Sequence, residues 1–285
     1  MWKQKIGISV GNYGAQNDER MAMLRRTGFD AVSLLWAPGV DLSDIVSAAR
    51  KNDLEIQSIH APFTNAAHLW CTDDTAGEIA LKEQLCVLED CRRFSIPIAV
   101  VHTWIGFSYQ FDAAALSFRH FDTMVETAEQ YGVRIAFENT EGEEFLFALM
   151  ERYQGRQSVG FCWDSGHEQC YNHGQDLLAA YGDRLLVTHL NDNLGISRYD
   201  GETFWTDDLH LLPYDGIIDW DAAIRRLRAA APLDILNFEL NIGSKPNRHD
   251  NDIYGLMTLE QYYAEAYKRA CRIAYRYQSA PKTDR

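Results

Sequence analysis

The stretch Val159-Gly-Phe-Cys-Trp-Asp-Ser-Gly-His167 indicates how the rest of the chain is built. Its first five residues form a short run rich in apolar and aromatic side chains, which predicts a strand buried on both faces. Asp164 and His167 follow where this run gives way to a glycine-containing turn. Burying a lone aspartate costs several kcal/mol unless it is paired. A metal ion is a partner that an aspartate and a histidine can share.

The rest of the chain alternates in the same way between apolar runs and segments of helical periodicity. Strands are predicted at 5–10, 29–36, 55–62, 98–104, 134–139, 159–163, 185–190 and 235–240. Helices are predicted at about 17–27, 42–52, 75–94, 112–131, 143–153, 174–181, 219–230 and 258–277, with Asp112 and either Asp219 or Asp221 as caps. Eight βα units predict one domain over residues 1–285, an α/β fold whose all-parallel, eight-stranded sheet closes into a (β/α)8 TIM barrel.

A doubly wound open sheet is the alternative architecture. Gly7 and Gly11 do not form the glycine-rich turn that such a sheet places after its first strand to bind a dinucleotide. We therefore favour the barrel and expect no nucleotide cofactor.

Composition and charge narrow the classes of partner. The chain has 285 residues, with 27 Lys and Arg against 41 Asp and Glu, a formal net charge of −14. This charge repels phosphate backbones, so we expect no nucleic-acid partner. The six cysteines form no CxxC pair, which is typical of reduced thiols in a cytoplasmic protein. The N-terminus does not have the pattern of a signal peptide, and no apolar run has membrane-spanning length. Whether the chain forms a homo-oligomer is left open.

Six successive predicted strands end in ionisable residues. In a (β/α)8 barrel these carboxyl ends form the functional face. The residues are His60, His102, Glu138, Asp164 with His167, His189 and Glu239, and the loop after the seventh strand adds Asp208 and His210. Singly, each has a structural explanation, such as a rim histidine or a Glu138–Arg134 pair. Together, several carboxylates and imidazoles around one cavity require a cation. Carboxylate and imidazole without thiolate suit Mn²⁺, Zn²⁺, Co²⁺ or Fe²⁺.

The other histidines lie away from the strand ends and are expected at the surface. They are His68, His120, His173 and His249.

The motifs at these strand ends resemble those of the xylose isomerase-like TIM barrels, the sugar phosphate isomerase/epimerase group that also contains the abasic-site endonucleases. The resemblance covers nearly the whole chain. It rests on Ile59-His-Ala-Pro-Phe63, Ala136-Phe-Glu-Asn-Thr140, Cys162-Trp-Asp-Ser-Gly-His167, Thr188-His-Leu-Asn-Asp-Asn193 and Asp208-Leu-His-Leu-Leu-Pro-Tyr-Asp-Gly216. Each motif is weak alone, and their order is specific.

The resemblance implies a ligand set. In the sugar isomerases and epimerases of the group, the positions of Glu138, Asp164, His189 and Glu239 hold one divalent metal, and the two glutamates also act as acid and base. In the endonucleases, further zinc ions use the positions of His60, His102, His167, Asp208 and His210. Because all these residue types are present, the number of ions is left open.

Two positions depart from the group. Asn193-Leu-Gly195 stands where the ketohexose epimerases have an arginine, which puts the identity of any ketose substrate in doubt. Tyr214 replaces a small residue in the turn Pro213-Tyr-Asp-Gly216, which suggests a different or smaller substrate.

The function that we predict is a metal-dependent isomerase or epimerase of a sugar, sugar phosphate or keto-polyol. A metal bound to the substrate carbonyl and its neighbouring hydroxyl stabilises an enediolate, while one glutamate removes the α-proton and the other returns it. The predicted partner is thus a small carbohydrate. The predicted substrate contacts are Trp36, Phe63, Trp104, Asn139 and Tyr214.

Three alternatives stay open. One is hydrolysis of a phosphoester at a multi-zinc cluster, the second is a related dehydratase or lyase, and the third is a sugar-binding module without turnover. Lys245, Arg248 and Arg198 are candidates to bind a phosphate, although loop cations are usually solvated. The loop at 191–217 and the segment at 242–256 are candidates for a lid or a subunit contact.

Overall fold

A computed structural model describes residues 4–71, 75–172, 175–198 and 201–279. Eight strands within these ranges form one sheet, with neighbours in the order β7-β6-β5-β4-β3-β2-β1-β8 and all pairings parallel. The strands are β1 (Lys5–Val10), β2 (Ala31–Leu35), β3 (Glu55–His60), β4 (Ile98–His102), β5 (Arg134–Glu138), β6 (Val159–Asp164), β7 (Leu185–His189) and β8 (Ile235–Phe238). The predicted (β/α)8 barrel and its eight strands are confirmed.

The barrel closes between β7 and β8 through side-chain hydrogen bonds as well as backbone pairing. Leu190 and Phe238 form an isolated parallel bridge just beyond β7. Below it, the Thr188 hydroxyl donates to the carbonyl oxygen of Asn237 at 3.2 Å and accepts from the Asn237 amide at 3.1 Å. The Asn237 carbonyl also accepts the Leu190 amide at 2.9 Å, so the Thr188 hydroxyl is needed chiefly as the acceptor for the Asn237 amide.

The helices surround the sheet. They are α1 (Asn17–Thr27), α2 (Ser43–Lys51), α3 (Thr75–Phe94), α4 (Arg119–Tyr131), α5 (Glu143–Arg152), α6 (Ser165–Cys170), α7 (Leu177–Tyr181), α8 (Trp220–Ala229), α9 (Asp252–Gly255) and α10 (Leu259–Ser279). The predicted cap Asp219 is confirmed, because its carboxylate accepts the amides of Asp221 and Ala222, each at 3.0 Å.

Three helical segments differ from the prediction. The helix α4 begins at Arg119 rather than near 112, because Asp112 holds a single turn through the Ala114 amide and Phe118 packs on Trp70 with 5.5 Å between ring centroids. This tertiary contact outweighs the helix propensity of the alanines at 113–115. The short helices α6 and α9 lie in segments where no helix was predicted.

Inside the barrel, side chains alternate along each strand. Ile98, Val100, Ala136, Cys162 and Val187 form a small buried apolar cluster separate from the main core. Because side chains two residues apart share one face of a strand, the same alternation places His102, Glu138, Asp164 and His189 directly above this cluster. The apolar cluster is therefore the floor of the candidate site.

None of the helices in the described ranges has the length and apolar character needed to cross a lipid bilayer. Within the same ranges, no disulfide joins the cysteines at 71, 86, 91, 162, 170 and 271.

Candidate functional site

The carboxyl ends of β3 to β8 bring the predicted ionisable residues together at one end of the barrel. Glu138, Asp164 and His189 are fully buried at the ends of β5, β6 and β7. The other members, His60, His167, Asp208 and His210, are also buried. Side chains of Asp, Glu and His are rarely buried unless they are paired or bind a metal.

One group of residues, here called the Glu138 cluster, consists of His60, Glu138, His189 and Glu239. One ligand atom from each member lies within 4.8 Å of the others. The Nδ1 atom of His189 lies 2.8 Å from Glu138 Oε1 and 2.7 Å from Glu239 Oε2. Nε2 of His60 lies 3.2 Å from Glu138 Oε2, and Nε2 of His102 lies 3.4 Å from the same oxygen. His60, His102 and His189 thus contact the Glu138 carboxylate, and Glu239 contacts the imidazole of His189.

A second group, here called the Asp164 cluster, consists of Asp164, His167 and His210, again with ligand atoms within 4.8 Å. Asp208 joins it, since its Oδ2 lies 2.8 Å from His210 Nε2 and its Oδ1 lies 3.6 Å from His167 Nε2. The predicted metal ligands are therefore divided. Glu138, His189 and Glu239 lie in the first cluster with His60, whereas Asp164 lies in the second.

The path of the chain after β6 explains where Asp164 lies. Asp164 is the N-cap of α6, and its Oδ1 accepts the backbone amide of His167 at 2.7 Å. The side chain of Asn191 donates to both oxygens of the same carboxylate, at 3.1 and 2.9 Å. These hydrogen bonds hold the Asp164 carboxylate beside α6 and the loop after β7.

The hydrogen bonds of three histidines fix which ring nitrogen carries the hydrogen. Nδ1 of His60, His167 and His210 faces the backbone carbonyl of Ala61, Asn139 and Glu239, at 2.7, 2.8 and 3.1 Å respectively. A carbonyl oxygen only accepts, so Nδ1 is the donor in each ring. Each Nε2 is then directed at a carboxylate oxygen. Both atoms of such a contact are acceptors unless a proton or a metal ion lies between them.

In the metal-free protein the charges of the clusters shift several pKa values. Burial alone would lower the pKa of His189, but Cys162, Glu138 and Glu239 together raise it well above its usual value. Burial would also lower the pKa of His210, but Asp208 raises it to about 9. Burial would raise the pKa of Glu239, but His189 lowers it to about 2. Without a metal, protonated imidazoles neutralise the carboxylates.

These observations fit a bound divalent cation. The donor set combines carboxylate oxygens with imidazole nitrogens whose second nitrogen is fixed by a carbonyl, as in protein sites for first-row metals. Nδ1 of His102 is buried and has no hydrogen-bond partner among the described residues. The Glu138 cluster and the Asp164 cluster are each able to hold one ion.

The aromatic residues predicted to contact the substrate differ in their exposure and in whether their polar groups already have hydrogen-bond partners. Phe63 stands at the mouth with 43% of its surface exposed and stacks on His102, with 4.6 Å between ring centroids. Trp104 stacks on Phe145 at 4.0 Å, and its Nε1 donates to Gly106. Nε1 of Trp36 donates to Asp90 at 2.8 Å. Phe63 has the open face that a substrate contact needs, whereas the polar groups of both tryptophans are occupied.

Asn139 and Tyr214 also have internal partners. The Asn139 side chain accepts the Asp164 amide at 2.8 Å and donates to the Asp164 carbonyl and to Asn172, at 2.9 and 3.0 Å. It thereby ties β5 to the end of β6. The ring of Tyr214 lies 4.1 Å from the guanidinium carbon of Arg272 in α10, and its backbone has a positive φ of 76°.

Two residues, Asn191 and Asp192, acquire importance only in the structure, and Lys245, already a candidate to bind a phosphate, is given a defined position. Asn191 holds the Asp164 carboxylate, as described above. Asp192 lies beside the motif histidine but accepts the Tyr214 amide and Trp220 Nε1, each at 2.8 Å, so that it organises the loop before α8. Lys245 Nζ lies 3.4 Å from Asp208 Oδ2. Asn191 and Asp192 both belong to the motif Thr188-His-Leu-Asn-Asp-Asn193. The polar character of that motif was the sequence signal that could have indicated their importance.

Of the histidines predicted at the surface, His249 has 86% of its side chain exposed and His68 is partly buried. The prediction for His120 is wrong, since this residue is buried and its Nδ1 lies 3.1 Å from the carbonyl oxygen of Leu69. The amphipathic helix α4 turns this position toward the core. His173 lies outside the described residues.

The chain is similar to known proteins in sequence and in fold. Residues 21–271 match the family described as xylose isomerase-like TIM barrel. A relative from Sinorhizobium fredii, the uncharacterized protein y4fM, is 34% identical over 163 residues. That match covers 55% of this chain and 46% of the relative, which is less than half of the relative's length.

Solved structures with the same fold include an IolI protein with a bound zinc atom and an L-ribulose 3-epimerase. The first is 18% identical with a TM-score of 0.72, covering 96% of this chain and 99% of that chain. The second is 15% identical with a TM-score of 0.70, covering 99% of this chain and 100% of that chain. At these identities the similarity establishes the fold.

Proposed function

We propose, since the chain belongs to the xylose isomerase-like TIM barrel family, that it is a divalent-metal-dependent isomerase or epimerase of a sugar, sugar phosphate or keto-polyol. The observation that carries the proposal is the approach of Glu138 and Glu239 to the same nitrogen of His189, at 2.8 and 2.7 Å. Two carboxylates that converge in this way can serve one substrate carbon, one as base and the other as acid.

The two glutamates differ in access. The side chain of Glu239 is 17% exposed, whereas that of Glu138 is fully buried. Glu239 therefore faces the side from which a substrate enters. In the metal-free protein His189 outweighs the effect of burial and lowers the pKa of Glu239 to about 2, so that this carboxylate is ionised at neutral pH. His60 and His102 both contact Glu138 Oε2, and they position this carboxylate for the second proton transfer.

The residues proposed to hold the metal are Glu138, His189 and Glu239, with Asp164 as the family resemblance implies or with His60 as the ligand-atom distances favour. When bound, a divalent cation supplies Lewis acidity toward the oxygens beside the carbon that loses its proton. The zinc atom in the IolI structure supports the choice of a divalent metal. Phe63 offers its exposed face as a wall for the carbohydrate.

The experiment is a substrate panel in deuterium oxide. Protein loaded with Mn²⁺, Co²⁺ or Zn²⁺ is incubated with ketoses, aldoses and keto-polyols, with and without phosphate, and the products are followed by NMR. Epimerisation or isomerisation with deuterium at the carbon beside the carbonyl is expected. Glu239→Gln should reduce the rate by roughly 10²- to 10⁴-fold.

The control is Glu265→Gln on α10, a half-exposed carboxylate paired with Lys268 at 3.1 Å, which should retain the wild-type rate. Full activity of Glu239→Gln on the true substrate would contradict the proposed role of this glutamate. Absence of deuterium exchange across the whole panel would count against the function itself.

A second candidate function is hydrolysis of a phosphoester at more than one metal ion. The Asp164 cluster favours it, because a second group of ligands beside the Glu138 cluster is suited to hold another ion. The net charge of −14 opposes binding of a nucleic-acid backbone, which depends on positive side chains. A small phosphoester is therefore the substrate to test.

Metal content separates the two candidates. Elemental analysis of protein purified without chelator should give about one ion per chain for the isomerase or epimerase, lost in Glu138→Ala. Two or more ions per chain, one of them lost in His210→Ala, together with cleavage of bis(p-nitrophenyl) phosphate, would favour the hydrolase.

A further inference from the structure

The loop that follows β8 brings a lysine to the mouth of the site. The side chain of Lys245 is only 19% exposed, and its Nζ lies 3.4 Å from Asp208 Oδ2. The ammonium also lies 5.6 Å from the ring centroid of Trp205, which is 54% exposed. Lys245 thus reaches inward, toward the Asp164 cluster, rather than outward into solvent.

Asp208 has a closer partner than this lysine. Its Oδ2 is 2.8 Å from His210 Nε2, a shorter contact than the 3.4 Å to Lys245. An ammonium carries three hydrogens, and among the described residues the long contact to Asp208 is the hydrogen bond that Lys245 makes. The lysine therefore retains donors for another acceptor.

The backbone around Lys245 is held in place. Its carbonyl oxygen accepts the Arg248 amide at 2.9 Å. The Arg248 guanidinium pairs with buried Asp207 at 2.9 Å and with Asp250 at 2.8 Å, and the Asn251 side chain donates to the carbonyl oxygens of Leu209 and Asn241. These contacts fix the loop after β8 against the loop after β7, so that the position of Lys245 is defined.

Other cations of these two loops are already engaged. Arg248 is bound to two aspartates, as described above. Arg198 pairs with Glu202 and lies over the ring of Phe204 at 4.4 Å. Within the parts of these loops that the structure describes, Lys245 is the positive side chain that reaches a metal-ligand cluster.

We propose that Lys245 binds an anionic group of the substrate, a carboxylate or a phosphate, at the end remote from the reacting carbon. The proposal rests on the proposed function, because Glu239 marks the reacting end. His210 links the two ends, since its Nδ1 contacts the Glu239 carbonyl and its Nε2 contacts Asp208, the partner of Lys245. A neutral sugar gives no reason to hold a poorly solvated ammonium at this point, whereas an anion forms a charge-assisted hydrogen bond with it.

The test compares three ligands that differ at C6: D-fructose, D-fructose 6-phosphate and D-fructuronate. Their dissociation constants for the metal-loaded protein are measured by calorimetry, together with that of inorganic phosphate. The variants are Lys245→Met, Lys245→Arg and the control Lys268→Met, whose lysine on α10 pairs with Glu265 but is 74% exposed. Metal content and thermal unfolding verify that each variant is folded.

Wild-type protein should bind at least one C6 anion about tenfold more tightly than fructose. Lys245→Met should remove this preference for a C6 anion over fructose, Lys245→Arg should restore most of it, and Lys268→Met should have no effect. The phosphate and carboxylate ligands identify which anion is preferred. An unchanged preference in Lys245→Met, or no preference in the wild type, would overturn the proposal.

The inorganic phosphate measurement separates this proposal from the proposed function. Phosphate binding that weakens about tenfold in Lys245→Met, but not in Lys268→Met, supports the anion site even if no sugar is converted. Equal phosphate affinity in Lys245→Met and Lys268→Met would overturn the proposed anion site. The proposed reaction would then still be tested by the deuterium-exchange experiment.

Discussion

Individual imidazole nitrogens determine what the site can bind. In His60, His167 and His210 a backbone carbonyl fixes the hydrogen on Nδ1, so that Nε2 presents its lone pair to the carboxylates. A metal ion and a proton compete for that lone pair. The protonation of these rings is therefore linked to metal binding.

Metal affinity should rise with pH. The carboxylates overcome the effect of burial and raise the pKa of His189 and His167 well above its usual value, and that of His210 to about 9. Below these values each ring is protonated, and the metal must displace the proton. With one proton released per ion, the dissociation constant of Mn²⁺ or Co²⁺ falls about tenfold per pH unit between pH 6.5 and 8.5.

Calorimetric titrations in buffers of different ionisation enthalpy count the released protons. If an ion binds at the Asp164 cluster, His210→Ala should lower the count, whereas His249→Ala, at an exposed position, should leave it unchanged. An affinity that does not change with pH would contradict the assignment of these imidazoles as ligands.

Substitution of Gly166 should disturb Asp164 through the side chain of Asn191. A Cβ atom at this position would overlap the side-chain amide oxygen of Asn191. Asn191 donates to both oxygens of Asp164, so its displacement leaves a buried carboxylate with fewer hydrogen bonds. Gly166→Ala should lower the free energy of unfolding by about 1–3 kcal/mol and weaken metal binding at the Asp164 cluster.

Urea unfolding and metal titration measure these two effects. Gly255→Ala is the control, since a Cβ there meets no atom within 4 Å, and it should change stability by less than about 0.5 kcal/mol. Equal stabilities of the two variants would show that the Asn191 side chain yields without cost.

At the scale of elements, β7 and its loop connect barrel closure to the site. Thr188 closes the seam to β8, His189 enters the Glu138 cluster, and Asn191 supports Asp164 at the end of the neighbouring strand β6. The alternation of side chains along a strand explains how neighbouring residues serve different purposes.

Thr188→Val should destabilise the seam while preserving the shape of the side chain. The substitution removes the hydroxyl that pairs with the amide and carbonyl of Asn237, and the buried amide loses its acceptor. We expect a loss of about 1–3 kcal/mol in the free energy of unfolding, with faster hydrogen exchange at the Asn237 amide.

The matched control is Thr127→Val on α4, whose hydroxyl donates to the Thr123 carbonyl within the same helix at 2.8 Å. This change should cost less than about 0.5 kcal/mol. If both threonine variants unfold at the same urea concentration, the hydroxyl at the seam does not stabilise barrel closure.

At the scale of the whole molecule, the barrel gathers side chains from six strands and holds opposite charges in its interior. The pKa of His210 rises from 6.5 to about 9, so its contribution to stability is complete below pH 6.5 and is lost as the pH rises through 9. The pKa of Glu239 falls from 4.5 to about 2, so its contribution is complete above pH 4.5 and is lost as the pH falls through 2. In metal-free protein His210 and Glu239 therefore both contribute fully to stability between about pH 4.5 and 6.5.

Bound metal should therefore stabilise the protein more at pH 8.5 than at pH 6.5. A ligand at one hundred times its dissociation constant adds about 2.7 kcal/mol to the free energy of unfolding, and a higher pH lowers that constant. Scanning calorimetry with and without EDTA should show a larger difference in Tm at pH 8.5. A difference that shrinks as the pH rises, or that persists in Glu138→Ala, would contradict the linkage.

The sequence predicted the barrel because its signals are local. Apolar runs, helical periodicity and caps such as Asp219 depend on neighbouring residues, and a parallel order then places every strand end on one face. Hence His60, Glu138, Asp164, His189 and Glu239 were recognisable as one site. The start of α4 and the burial of His120 were not, since contacts with distant residues such as Leu69 decide both.

The sequence by itself determined which side chains stand at the mouth of the barrel, since strand alternation fixes the direction of each. Only the tertiary structure decided how they group. Asp164 lies with His167 and His210 rather than with Glu138, because it caps α6 and accepts hydrogen bonds from Asn191. The place of Lys245 depends on loops anchored by Arg248 and Asp207. Such groupings depend on through-space distances between separate strands and loops, which no local pattern encodes.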